Sequence, residues 1–325
     1  MIYNQWYGVF PGRKLKINTM ISLKRLGLEL VLFRTKSGKL GCVTDRCSHR
    51  GAALSAGKLK GDCLQCPFHG LEFDHVGRCK LIPANGKASL EDLSRFNVQS
   101  YTVREYQDMI YLWYGEDDKI SDKLPFFEEY LNDSYVYSEI EDSWNSHYSR
   151  CIENQLDVVH LPFVHHNTIG RGNRTLVNGP KVIFDNGVII TSANNDLDEG
   201  QTPKAAVDCE IKETFLAFKF PNLWMNHISP KIKVVIFFAP VDEENTVIYI
   251  RFYNKITGVK VVNRFISFLG MYGNRLIERQ DKRVVITQKP KASEYKSAEN
   301  LIMGDGPIIT YRRIRNELKE ENIKE

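Results

Sequence analysis

Long apolar runs are missing from this 325-residue chain: the longest stretch free of polar side chains, Val234 to Val241, falls far short of the ~20 residues that a membrane helix needs. Charge of one sign is equally scarce. Forty-four basic and forty acidic residues leave a net charge of +4, too mild a balance to imply nucleic acid or a membrane surface as partner. No G-x-G-x-x-G follows a strand-like segment, so a nicotinamide or flavin site within the chain is not expected. A plant-type ferredoxin cysteine run is absent as well. Met1 to Trp6 lacks the charged-then-apolar order of a secretory signal, which makes the cytoplasm the expected location. Seven cysteines, an odd number, suit a reducing compartment.

Against that background two short stretches stand out: Cys47-Ser48-His49 and, after sixteen further residues, Cys66-Pro67-Phe68-His69. Each contributes one thiolate and one imidazole, and the pair can hold a [2Fe-2S] cluster with both cysteines on one iron and both histidines on the other. The spacing C-x-H-x16-C-x2-H, with Arg50-Gly51-Ala52 after the first pair and Gly70 after the second, resembles a Rieske centre. A structural zinc site is the competing reading, since Cys63-Leu64-Gln65-Cys66 is also a C-x2-C pair. Zinc fingers, however, pair cysteine with cysteine and histidine with histidine. The other five cysteines, Cys42, Cys63, Cys79, Cys151 and Cys209, read as free thiols that behave as small hydrophobes.

About a hundred residues downstream lies Asn154-x2-Asp157-x2-His160-x4-His165. Two histidines separated by the helix-breaking Pro162 can converge on one metal if the first ends a helix and the second follows the turn. With one carboxylate they would form a facial triad that leaves positions open on a non-heme Fe(II). Three candidates for that carboxylate stand in the last third: Glu278, Asp281 and Glu294. Apolar or small residues at Ile266, Gly270, Gly273, Ile277, Val284 and Gln288 trace one face of a helix from about Val259 to Gln288, and Asp281 falls on it. A carboxylate facing a core is costly unless paired or metal-bound. The competing role for Asp281 is a salt bridge with Arg275, Arg279 or Arg283, and Glu278 is the alternative ligand.

Taken together, the two motifs resemble the oxygenase (alpha) subunit of the Rieske non-heme iron oxygenases. The likeness runs from Trp6 to about Gln288 and is greatest to the branch that includes vanillate O-demethylase, dicamba monooxygenase and pheophorbide a oxygenase. It implies a [2Fe-2S] cluster on Cys47, His49, Cys66 and His69, and Fe(II) on His160, His165 and Asp281. It implies catalytic positions at Asn154 and Asp157, with Asp157 bridging the iron of one subunit to the cluster of the next in a head-to-tail homotrimer. In cytochrome bc-type centres a disulfide and hydroxyl donors raise the potential. Here Ala52, Phe68, Leu71 and Phe73 stand in those places, so a lower potential is expected, suited to feeding an oxygen-activating iron.

The fold class implied is α+β: an N-terminal all-β Rieske domain over 1–115, and a helix-grip catalytic domain with an antiparallel sheet over 116–325. Strand signals agree. Leu30 to Arg34 and Leu40 to Thr44 flank a Ser-Gly turn, and Val98 to Glu105 and Met109 to Trp113 complete the first unit. Glu116 to Pro125 reads as a linker and Trp144 to Val159 as a helix. Lys181 to Thr191, Ile211 to Phe220, Lys231 to Ala239 and Thr246 to Tyr253 read as strands. The tail from Arg312 to Glu325 reads as a solvated helix docked by Ile314 and Leu318.

The activity implied is O2-dependent hydroxylation, or oxidative O- or N-demethylation, of a small molecule, with electrons from a separate NAD(P)H-dependent reductase or ferredoxin. A ring-dihydroxylating dioxygenase and a Rieske electron carrier without chemistry of its own are the alternatives. Candidate substrate contacts are Trp224, Asn226, His227, Phe237 and Tyr249, with Tyr253 beside them. Arg171 and Arg174 could steer an anion.

Overall fold

A computed structural model describes residues 1–321. The chain divides into two compact units: Tyr3–Leu124, and Pro125 onward together with Met1–Ile2. The first is all β, with strands β1 (Gln5–Pro11), β2 (Thr19–Arg25), β3 (Leu28–Arg34), β4 (Leu40–Thr44), β5 (Lys58–Lys60), β6 (Cys63–Gln65), β7 (Glu72–Phe73), β8 (Cys79–Leu81), β9 (Val103–Tyr106) and β10 (Met109–Tyr114). They form three antiparallel sheets, β1-β10-β9, β2-β3-β4 and β5-β6-β7-β8. Val31, Phe33, Val43, Leu54, Leu64, Leu71 and Phe73 make the core, which also takes in Cys47, Cys66 and Cys79. The stretch expected as a linker is tied to this unit. Trp6 Nε1 donates to the Ser121 carbonyl at 2.7 Å, Trp113 Nε1 to that of Glu116 at 2.9 Å, and Arg104 pairs with Asp122 at 3.3 Å.

The second unit is built on a seven-stranded antiparallel sheet and three helices longer than two turns. Its elements run β11 (Val136–Trp144), α1 (Tyr148–Leu156), α2 (Leu161–Val164), β12 (Leu176–Val177), β13 (Val182–Asp185), β14 (Val188–Thr191), β15 (Asn195–Asp196), β16 (Phe215–Lys219), β17 (Leu223–Ser229), β18 (Ile232–Pro240), β19 (Thr246–Asn254), α3 (Lys260–Val285) and α4 (Gly306–Glu321). The large sheet has the order β11-β19-β18-β17-β16-β14-β13. Its longest hairpin, β18-β19, is closed where Asp242 Oδ1 accepts from the Glu244 backbone N–H and from Asn245 Nδ2 at 3.0 and 2.8 Å. One face, with Trp144, Phe218, Trp224, Ile236, Ile248 and Ile250, shares a core with Ile152 and Leu156 of α1, Met271 of α3 and Tyr311 of α4.

Several expectations need adjusting. Lys181 to Thr191 is two strands, because Asn186 and Gly187 adopt positive φ of 49° and 75° and reverse the chain as a tight hairpin. Trp144 ends β11 rather than opening a helix. Helix α1 starts at Tyr148, where the His147 ring accepts from the Ser149 N–H at 3.3 Å. Burial, with Arg315 and other cations nearby, pushes the His147 pKa down to about 3, which keeps the ring neutral and able to accept.

The final helix is not a solvated tail. It begins at Gly306 and buries Tyr311, Arg312, Ile314 and Arg315; the last four residues of the expected span lie outside the described residues. Arg312 holds Glu153 of α1 at 2.7 Å and Glu299 at 2.7 Å, while Arg150 contacts the same two carboxylates at 3.2 and 2.6 Å. These buried guanidiniums hold the Glu299 carboxyl down at about 2 despite the burial that opposes them. Long polar side chains in a charge cluster, invisible to hydrophobic periodicity, dock this helix.

Candidate metal centres and cavity

The two cysteine-histidine segments are built on the same backbone scaffold. The first follows β4 and the second joins β6 to β7. In each, the cysteine N–H donates to the carbonyl five residues on: Cys47 to Ala52 at 2.8 Å, Cys66 to Leu71 at 2.8 Å. A glycine four residues on donates back to the cysteine carbonyl, Gly51 at 2.9 Å and Gly70 at 3.1 Å. Both glycines need φ near +74°, which excludes most side chains. Cys47 and Cys66 are buried, while His49 and His69 are exposed, with ring centroids 4.6 Å apart. Burial, together with the neighbouring Cys66 thiol, pushes the Cys47 thiol up to about 11. A pair of adjacent buried thiols backed by two imidazoles suits a cluster that draws off both protons. The spare C-x2-C partner, Cys63, lies on β6, half-buried, and no disulfide forms among the seven cysteines.

In the second unit, α1 delivers Asn154, Gln155 and, at its C-terminal end, Asp157. Asp157 turns the chain: its Oδ1 accepts from the Val159 and His160 N–H groups at 2.6 and 3.3 Å. Pro162 then opens α2, a single turn that carries the chain from His160 to His165. One ligand atom each from His160, His165 and Asp281 falls within 4.8 Å of the others, and this is the sole such group of metal-ligand type among the described residues. His160 Nε2 and His165 Nε2 lie 3.5 and 2.9 Å from Asp281 Oδ1, yet that oxygen has no aligned hydrogen-bond donor. Lone pairs aimed at one point without a shared proton are what a cation needs, so these residues fit a metal of the 2-His-1-carboxylate type.

Neighbours fix the orientation of each group. His165 Nδ1 donates to Gln280 Oε1 at 2.8 Å, leaving Nε2 as its free lone pair; Gln280 is itself held by Thr168 and Asn167 at 2.9 and 2.7 Å. Gln155 Nε2 donates to Asp281 Oδ2 at 3.2 Å. Burial disfavours a proton on His165, but the Asp281 carboxylate and Gln280 outweigh it and raise the pKa, the mark of a site short of positive charge.

The arginines weighed as partners for Asp281 make no ion pair with it. Glu278 is engaged elsewhere: its Oε1 accepts from Trp144 Nε1 at 2.6 Å, and its carboxyl neighbours that of Asp142. Burial first, then Asp142, push the Glu278 pKa up to about 7. Glu294 is exposed near Arg315 and Lys319.

The triad opens into a cavity of about 290 Å³ walled by Trp144, Leu216, Trp224, Ile236, Ile248 and Ile250, with Asn154, Asn226 and Glu278 among its polar groups. Asn154 Nδ2, Trp224 Nε1 and Asn226 Oδ1 are buried there without hydrogen-bond partners. Four expected contacts are not in the wall. Strand alternation turns Phe237 and Tyr249, with Tyr253, to the opposite face of the sheet, where the Arg251 guanidinium sits 5.1 Å from the Phe237 ring. His227 likewise faces away from Asn226; its ring stacks on Phe215 at 4.6 Å and its Nδ1 donates to the Glu213 carbonyl at 2.9 Å. Arg171 and Arg174 are exposed and outside the cavity wall. Gln155, Gln280 and the walls Ile236, Ile248 and Ile250 escaped the sequence reading. Alternation in phase with Trp224 could have found those three walls.

Comparison with known proteins places the chain. Residues 5–106 match the Rieske [2Fe-2S] domain, and residues 144–321 match the vanillate O-demethylase oxygenase C-terminal domain. The chain belongs to the Rieske non-heme iron oxygenases. It is similar to methylxanthine N1-demethylase NdmA of Pseudomonas putida, 27% identical over 97% of this chain and 88% of that protein. It is also similar to chlorophyllide a oxygenase of Chlamydomonas reinhardtii, 31% identical over 52% of this chain. The match spans 25% of that oxygenase and 30% of its Arabidopsis thaliana counterpart. In fold it superposes on Pseudomonas putida NdmA with a TM-score of 0.79 at 21% identity, covering 99% of this chain and 92% of that one. Dicamba monooxygenase gives 0.74 at 18% identity over 100% and 99%. As a Rieske oxygenase the chain carries a [2Fe-2S] cluster in its first domain and mononuclear non-heme iron in its second. Members of the family are oxidoreductases.

Proposed function

We propose that this chain is the terminal oxygenase component of a multicomponent system, acting with O2 on a small, largely apolar substrate by hydroxylation or oxidative O- or N-demethylation. The observation that carries this reading is the convergence of His160, His165 and Asp281 at the wall of an apolar cavity, with a carboxylate oxygen left without a donor. Bound by these three side chains, iron would supply activation of dioxygen. Leu216, Ile236, Ile248 and Ile250 would exclude water and bury the substrate; Asn154, Trp224 and Asn226 would orient it with their unused hydrogen-bonding atoms. The relative named a methylxanthine N1-demethylase supports demethylation as one outcome.

In the first unit Cys47, His49, Cys66 and His69 would hold the cluster that receives electrons from a donor. With no dinucleotide fingerprint in the sequence, that donor is a separate NAD(P)H-dependent reductase or ferredoxin. Asp157, beside His160 Nδ1 at 3.5 Å and partly exposed, would take a hydrogen bond from a neighbouring subunit's cluster histidine in a head-to-tail trimer.

The experiment is iron and product analysis of His160→Ala and Asp281→Ala beside the parent protein. Near three irons per protomer, falling to two in each variant with an intact cluster spectrum and no product, is the expected result. Activity surviving in both variants would reduce the chain to an electron carrier. The parent protein with NADH alone should not turn over.

A further inference from the structure

Helix α3 has two faces of opposite character. The inner one, with Asn263, Ser267, Met271, Glu278, Asp281 and Val285, is buried and largely polar. The outer one carries Val261, Phe265, Phe268, Leu269, Tyr272 and Leu276, between 52% and 72% exposed. Val261, Phe265, Phe268, Tyr272 and Leu276 recur at intervals of four, three, four and four, so they form one stripe roughly 22 Å long at 1.5 Å per residue. Single exposed apolar residues are ordinary; five in a row along one helix, with Leu269 beside them, are not.

The exposed charges of the helix itself are all of one sign. Lys260, Arg264, Arg275, Arg279 and Arg283 are exposed, and Arg279 and Arg283 continue the stripe toward the helix C-terminus. The helix has two acidic residues, Glu278 and Asp281, and both are buried. None of the four arginines has an ion-pair partner among the described residues. The near-zero balance of the whole chain conceals this separation.

We propose that the outer face of α3 lies on an anionic phospholipid surface, with Phe265, Phe268, Leu269 and Tyr272 sunk at the headgroup boundary and the arginines on phosphates. An apolar stripe on a helix whose own exposed charges are all cationic is the make-up of an in-plane interfacial helix. Spanning is ruled out for α3, since among the described residues no helix is long and apolar enough to cross a membrane. Symmetric pairing of this face with a second copy would set arginine against arginine. Asn274, Ile277, Glu278 and Asp281 of the same helix line the cavity, so the lipid would lie one helix away from the triad.

The test is vesicle flotation of the full chain at moderate salt, using phosphatidylcholine vesicles with and without phosphatidylglycerol. The chain should float with the anionic vesicles, less so as salt rises, and remain behind with phosphatidylcholine alone. F265S/F268S/Y272S should abolish flotation. Arg275→Gln and Arg279→Gln should each lower partition about fivefold. An unchanged cluster absorption band and melting temperature show that the variants are folded. Absence of flotation with anionic vesicles overturns the proposal, as does flotation that survives the triple substitution. So does dissociation of a vesicle-free oligomer by that substitution, which would give the face to a second copy. Loss of electron-donor binding without any vesicle binding would give it to an acidic protein and overturn the proposal too.

Discussion

Gln155, on the last turn of α1, donates from Nε2 to Asp281 Oδ2 on α3 across 3.2 Å. One carboxylate oxygen is thereby anchored and the other left to face His160 and His165. Partners of this kind typically contribute 10–100-fold in metal affinity. Gln155→Leu should therefore weaken mononuclear iron binding by about that factor, read by Fe(II) titration under anaerobic conditions, while the cluster spectrum stays unchanged. Parent-like affinity would mean that Asp281 is held by packing alone.

Asp157 shapes the turn through Oδ1 and lies 3.5 Å from His160 Nδ1. Asp157→Asn keeps an acceptor for the turn but removes the charge. Both metals should remain at parent stoichiometry while turnover slows by on the order of tenfold or more, the equivalent of at least about 1.4 kcal/mol in the barrier. Rapid single-turnover measurements on the pre-reduced protein check this; unchanged rates would remove Asp157 from the electron path.

Glu278 titrates in an unusual window. Its folded pKa of about 7 lies above the ordinary 4.5, through burial and the Asp142 carboxyl. The native state thus holds a proton that the unfolded chain releases, and the stability this gives is complete below 4.5 and lost as pH rises through about 7. Glu278→Gln, which cannot titrate, should gain in melting temperature relative to the parent between about pH 5 and pH 8. A constant difference across that range would show that the carboxyl does not hold its proton.

Arg312 joins two carboxylates under α4. Arg312→Ala would leave Glu153, 4% exposed, without one of its two guanidinium partners. Removing one member of a buried ion pair costs about 3–5 kcal/mol. Denaturant unfolding should show a loss of that order. A loss under about 1 kcal/mol would mean that Arg150 alone suffices.

Side chains with their own chemistry were legible in the sequence; the orientation of elements was less so. Cys47, His49, Cys66, His69, His160, His165 and Asp281 stand out because few other arrangements need those residue types at those intervals. Asp281 was singled out for an incomplete reason. The expected face of α3 through Gly273, Val284 and Gln288 is exposed, and the buried line lies roughly one residue's rotation away. Periodicity misled there because the helix buries polar residues around the site and presents its phenylalanines outward. Strand β11 was missed because Glu139, Glu141 and Asp142 mask its alternation, and Phe237 and Tyr249 were misplaced because both faces of β18 and β19 are apolar. Gln155 and Gln280 gave no signal, since an amide acquires its role from what it touches.

The paired loops at Cys47 and Cys66 have a consequence for substitution. Their shape is set by amide-to-carbonyl bonds and by two left-handed glycines, none of which involves iron. A side chain at Gly51 or Gly70 would therefore distort its loop through the backbone alone, without touching a thiol or an imidazole.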